Sequence, residues 1–143
     1  MEIDLTNSEL FKSFTEFDVD DLNVDLHNEF DCDAIKFSGS TKELTLLFKA
    51  NEFNKRAIAE VYIQFKDCSI TAFDLEVVKA ESRTIDMMYR SRFEKNGQLH
   101  EISKEGLFYY YVNFYDGLSF EVLAREVKAL INNCPSAGMG FRI

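Results

Sequence analysis

Apolar and polar residues alternate with a period of two over much of this chain. Leu44, Leu46 and Phe48 alternate with Thr45, Leu47 and Lys49, and Val61, Ile63 and Phe65 with Glu60, Tyr62, Gln64 and Lys66. Ile85, Met87, Tyr89, Ser91 and Phe93 alternate with Thr84, Asp86, Met88, Arg90, Arg92 and Glu94. Phe108, Tyr110, Val112 and Phe114 alternate with Leu107, Tyr109, Tyr111, Asn113 and Tyr115. This period predicts antiparallel strands with one face on a core and the other toward water. The segment from Cys68 to Val78 changes phase near Ala72, which predicts a bulge or a bend. Asn96-Gly97 and Asp116-Gly117 are strong hairpin dipeptides, and Gly39 and Gly106 also fall where the alternation reverses. Short turns between consecutive strands predict a meander of neighbouring hairpins.

Two stretches fit a helix instead. Thr6, Asn7 and Ser8 offer caps ahead of Leu10, Phe11, Phe14 and Phe17, which predicts a helix over 5–17. Phe120, Leu123, Val127, Leu130 and Ile131 also have helical spacing, while Leu118-Phe120-Val122 fits a strand equally well. The expectation is a strand passing into a helix over 124–133, ended by Pro135. The predicted fold is α+β: an antiparallel meander sheet of six to eight strands over 34–123, covered by one or two helices, the N-terminal one alone or with the C-terminal one. Residues 18–33 form an acidic segment and 135–143 a tail. At 143 residues, with nearly half apolar, the chain is expected to form a single domain, 1–143, with a real core.

Charge changes the picture, because it is segregated. Residues 1 to 35 hold eleven carboxylates and one base, Lys12, whereas residues 36 to 143 hold fourteen carboxylates and fifteen bases. Nearly all of the net charge of −9 therefore lies in one stretch. Such a balance disfavours nucleic acid, whose phosphates it repels, and anionic membrane surfaces. No apolar run approaches the roughly 20 residues that cross a bilayer. The start, Met1-Glu2-Ile3-Asp4, has neither the basic nor the apolar region of a secretory signal, so the expected location is the cytoplasm. Cys32, Cys68 and Cys134 lie far apart and read as reduced, buried thiols rather than as a disulfide framework or a zinc site.

The carboxylates are the main candidate site. Asp18, Asp20, Asp21, Asp25, Glu29, Asp31 and Asp33 occur with no Lys or Arg among them. Acidic side chains in such a run steer cationic surfaces and speed association, so a basic protein partner is the expected ligand. The plainer reading is a solvated loop that keeps the protein soluble. Asp21, Asn23 and Asp25 match the first ligands of a calcium loop, but Leu26 stands where that loop needs glycine and Cys32 where it needs Glu. A second surface candidate joins Tyr109 and Tyr111 to Arg90 and Arg92, on the assumption that their strands share a face. Tyr109-Tyr110-Tyr111-Val112-Asn113-Phe114 resembles the stacking strand of RNA-recognition domains, but Tyr110 replaces its small residue and the chain is acidic. The histidines, His27 and His100, lack a nucleophile motif, and the carboxylates around His27 would raise the pKa of Cys32. No catalytic residue, metal ligand or cofactor is assigned.

Leu26-His27-Asn28, followed by Ala34-Ile35-Lys36-Phe37 and Glu43-Leu44-Thr45-Leu46-Leu47-Phe48, resembles the start of small acidic, sheet-rich bacterial immunity proteins of polymorphic toxin systems and their relatives. The resemblance implies a protein that binds and blocks a toxin domain, often a basic nuclease. The leading expectation is a non-enzymatic binding module, monomeric or weakly dimeric, whose acidic segment engages a basic partner. The alternatives are an enzyme or small-ligand protein with a pocket lined by Tyr, Arg and His, and a self-associating module paired through sheet edges.

Overall fold

The computed structural model describes residues 1–6, 15–54, 57–75 and 83–133. Among these residues the chain forms thirteen strands and one helix. The strands are β1 (Glu2–Asp4), β2 (Glu16–Val19), β3 (Leu22–Asp25), β4 (Phe30–Ser38), β5 (Glu43–Ala50), β6 (Ile58–Lys66), β7 (Ser69–Leu75), β8 (Ile85–Ser91), β9 (Phe93–Lys95), β10 (Gln98–His100), β11 (Phe108–Phe114), β12 (Leu118–Ala124) and β13 (Glu126–Asn133). The helix α1 (Leu26–Glu29) is a single turn.

The architecture corrects the α+β expectation. The fold is mostly antiparallel sheet, and no described helix is long enough to cover one. The expected C-terminal helix is the strand β13, with Val127, Ala129 and Ile131 buried and alternating with partly exposed Glu126, Lys128 and Leu130. The expected helix over 5–17 falls largely on residues 7–14, outside the described set, and its end is the strand β2. Nor is there one meander. The strands form a five-stranded sheet in the order β1-β13-β6-β5-β4, a four-stranded sheet β7-β12-β11-β8, and the two-stranded hairpins β2-β3 and β9-β10.

The two larger sheets pack face to face over one core. The inner positions are those the alternation marks: Leu44, Leu46 and Phe48 on β5, Val61, Ile63 and Phe65 on β6, and Tyr110, Val112 and Phe114 on β11. Phe65 of one sheet meets Tyr110 of the other edge-on, with ring centroids 5.5 Å apart. Burying each such side chain contributes about 1.5–3 kcal/mol, which makes this layer the main stabilising element. The sheets share a corner. β6 and β13 pair in the first sheet, and their continuations β7 and β12 pair in the second. The ribbon bends at Asp67, whose φ is +51°, and opposite it at Arg125, whose N–H donates to the Lys66 carbonyl at 3.0 Å. Arg125 Nε also donates to Asp67 Oδ2 at 3.0 Å. The phase change expected near Ala72 is a bulge: Ala72 pairs with Glu121 and Ile70 with Val122, leaving Thr71 over.

One bulge defeats the simple alternation. On β8, Asn113 pairs with Met87 but Phe114 pairs with Ile85, so Asp86 is the extra residue. Ile85 and Met88 are therefore the buried pair, and Met87, Tyr89 and Ser91 point the other way. The N-terminal strand is fastened by Thr6. Its Oγ1 donates to Asp4 Oδ1 at 2.7 Å and accepts from the Val127 N–H at 3.1 Å. The Thr6 N–H donates to the same Asp4 oxygen at 3.0 Å, and the Leu5 N–H donates to the Val127 carbonyl at 2.8 Å. The two hydrogen bonds from Thr6 stabilise ionised Asp4 and lower its pKa.

Candidate functional site

The acidic segment is not a loop. Phe17 and Val19 alternate with Glu16 and Asp18, and the chain turns at Asp20-Asp21 into β3. Register places Phe17 against Val24 and Val19 against Leu22, and these apolar residues pack into or against the core. The opposite face of the hairpin carries Glu16 across from Asp25 and Asp18 across from Asn23. Asn23 Nδ2 donates to Asp18 Oδ1 at 3.0 Å. Asp20, with φ +53°, and Asp21 are both exposed at the tip. The left-handed geometry suits Asp better than most residues, because its short side chain tolerates that region. Five carboxylates thus share one face and tip of a ribbon whose other face is anchored.

Asp25, at the base of this face, is also bonded into the next element, and the other acidic residues lie away from the group. Asp25 caps α1: its Oδ1 accepts from the His27 and Asn28 N–H groups at 3.1 and 3.0 Å, and its Oδ2 accepts from Asn28 Nδ2 at 2.8 Å. Asp33 sits at a bulge of β4 and pairs with Lys49 at 3.5 Å, so it is neutralised across the sheet. Asp31 lies opposite Lys49 in register and lines a depression of about 630 Å³ at the end of α1. His27, Asn51, Glu52, Phe53 and Thr84 complete its wall with Asn28. Asn51 holds that wall together: its Nδ2 donates to the Asn28 carbonyl at 3.2 Å and its Oδ1 accepts from the Phe53 N–H at 2.9 Å. Glu29 is half-buried, and its carbonyl accepts from the Asn51 N–H at 3.0 Å. The charged residues of the wall, Asp31 and Glu52, are both acidic. The depression, joined to the hairpin through Asn28 and Asp25, extends the same sign of charge.

The second candidate surface divides. Tyr111 pairs with Tyr89 and Tyr109 with Ser91, while Arg90 pairs with Tyr110 and so faces the core side. Its guanidinium lies 4.7 Å from the Phe108 ring centroid and its Nη1 donates to the Thr6 carbonyl at 3.3 Å. Arg92 is exposed beside Glu101, 3.5 Å away. The shared face assumed for Arg90, Tyr109 and Tyr111 is therefore absent, and the tyrosines' true neighbour is Tyr89, 5.4 Å from Tyr111 between centroids. Tyr109 donates to Glu121, and burial together with that bond raises its pKa. The alternation hides Tyr89 because the bulge at Asp86 reverses the phase of β8, and Glu121 because its segment fits a strand and a helix equally well.

Burial pushes Cys32 up to about 12, with Arg83 opposing and Asp33 adding to the effect, so its inertness comes mainly from desolvation and less from carboxylates. His27 Nδ1 lies 2.6 Å from the Ile85 carbonyl, which can only accept, so that nitrogen carries the proton. Its ring packs 5.5 Å from that of Tyr115. His100 stands opposite Phe93 in the β9-β10 hairpin. Among the described residues, no group of three His, Cys, Asp or Glu is placed to hold a metal ion, and no helix is long and apolar enough to cross a membrane. Comparison of the chain with protein-family models, with curated proteins and with solved structures gave no match.

Proposed function

We propose that this protein is a non-enzymatic binding module whose β2-β3 hairpin engages a basic protein partner. The observation that carries this reading is the two-sided hairpin: Glu16, Asp18, Asp20, Asp21 and Asp25 on one face and tip, with Phe17, Val19 and Val24 buried on the other. An anchored backbone presents the carboxylates with little ordering cost on association, and their field steers cationic surfaces. The depression beside α1, with Asp31 and Glu52 in its wall, supports the same sign of partner. The narrower form of the proposal is an immunity-type role, in which the partner is the basic domain of a toxin; it rests on the resemblance over residues 26–50. The test is capture from a lysate of the native source at low and moderate salt. A variant with Asp18, Asp20 and Asp21 changed to Asn serves as control, leaving Asp25 to cap α1. The expected result is a basic protein held by the wild type and released by salt, associating about tenfold more slowly with the variant. Equal capture by the variant, insensitive to salt, would refute the reading.

A further inference from the structure

The outward faces of the two sheets are built differently. On the five-stranded sheet, acids and lysines interleave and pair: Lys66 with Glu43 at 3.8 Å and Lys128 with Glu2 at 3.5 Å across neighbouring strands, and Lys128 with Glu126 at 3.9 Å along β13. Cross-strand pairs of this kind make an ordinary solvated face. Among the described residues, no ion pair laces the outward face of the four-stranded sheet. Register puts Tyr89 on β8, Tyr109 and Tyr111 on β11 and Glu121 on β12 side by side on its outward face. Met87 and Leu123 flank them, and all six residues are partly exposed. Asp74 on β7 faces the same way, opposite Ser119. Asp86, extruded by the bulge, accepts from Asn113 Nδ2 at 3.2 Å and from the Tyr115 hydroxyl. The other register positions of this face are Ser, Ala and Asn, and none is Lys or Arg.

Tyrosine with interspersed carboxylates is the chemistry that receives Lys and Arg. The ring face attracts the cation and the carboxylate completes the pair, while Tyr, having only two side-chain torsions, loses little entropy on burial. Tyr109 is already oriented by its bond to Glu121, and Tyr111 by its contact with Tyr89. We infer that the outward face of β8-β11-β12 is the aromatic half of the docking surface for the basic partner, with Tyr89 and Tyr111 as its anchors and Glu121 as the counter-charge. This rests on the basic-partner reading and deepens it: the hairpin steers, and the tyrosine face holds. His27 connects the two, since it follows the hairpin in α1, packs on Tyr115 and bonds the first residue of β8.

The test uses the full chain and a deca-lysine peptide, followed by backbone amide shifts in a nuclear magnetic resonance titration. Shifts are expected at residues 89, 109–111 and 121 as well as at 16–25. Tyr89→Ala and Tyr111→Ala should each raise Kd about tenfold, and Glu121→Gln about threefold. Tyr111→Phe, which keeps the ring and fold, should bind as the wild type does. Shifts confined to the hairpin, with Glu121→Gln and the alanine variants binding normally, would overturn this inference and leave the basic-partner reading standing. No binding anywhere would remove both. Concentration-dependent shifts on the tyrosine face without peptide, with a dimer's mass, would assign the face to a second copy and overturn the inference as well.

Discussion

Thr6→Val is the substitution that probes the fastening of the N-terminal strand most directly. Valine has nearly the shape of threonine, so the change deletes hydrogen bonds and little packing. The Val127 N–H, at a fully buried residue, loses its acceptor, at a cost of about 1–3 kcal/mol. The bond to Asp4 adds about 1 kcal/mol, since that carboxylate is largely solvated. The expected loss is about 2–4 kcal/mol, a large share of the ~5–15 kcal/mol that holds a domain together. Urea unfolding followed by circular dichroism measures it, provided the slope against denaturant stays constant. Thr6→Ser keeps the hydroxyl and should cost about 1 kcal/mol or less. A pH arm separates the two hydrogen bonds. Asp4 has a folded pKa below the ordinary aspartate value of 3.8, so its contribution is full above that value and disappears as pH falls through the folded one. The gap between wild type and Thr6→Val should therefore narrow in acid. A loss below about 1 kcal/mol at neutral pH would refute the reasoning, because the Val127 N–H would then have another acceptor.

Burial holds the Cys32 and Cys68 thiols up at about 12, so neither should react with iodoacetamide at pH 8 until the protein unfolds; peptide mass mapping that finds either modified under native conditions would contradict this. Gly106→Ala and Gly97→Ala both place alanine at positive φ, +83° and +75°, and each should cost about 1–2 kcal/mol. At Gly106 the new Cβ meets Arg125 Nη1 at 3.0 Å, the far end of a flexible side chain that can move away, so the two losses should agree within error in parallel melts. Asp116→Ala strips the one-third-exposed Arg83 of its nearly buried partner, 2.6 Å away, and leaves the Leu118 N–H without its carboxylate acceptor. About 2 kcal/mol should be lost in denaturant unfolding, and a neutral result would show that solvent replaces the pair.

The inner faces of β5, β6 and β11 were legible because three or four consecutive alternations leave one phase, and the two-residue Asn96-Gly97 turn because both residues take positive φ there. The bulge at Thr71 was legible too, as a change of phase. β13 was not, since Val127, Leu130 and Ile131 satisfy a helical period and Val127, Ala129 and Ile131 an extended one. Pairing with β6 along its full length decides between them, and that partner lies some sixty residues away. β8 was misread because Met87 and Met88 are equally apolar, which hides the residue that the bulge inserts. In the acidic stretch the period was present in Phe17, Val19, Leu22 and Val24. Its turn, Asp20-Asp21, lacks the glycine of a strong hairpin dipeptide, so nothing local marks the hairpin that presents the candidate site.

The bent ribbon has a consequence for synthesis. β6 and β7 leave the ribosome early, yet their partners β13 and β12 are made about sixty and fifty residues later. Until then the centres of both sheets have open hydrogen-bonding edges and uncovered inner faces, the features that make nascent chains adhere to one another. Non-local pairing of this kind also slows the final collapse. The chain is thus expected to acquire its structure in one late step, and to lean on holding chaperones while it waits.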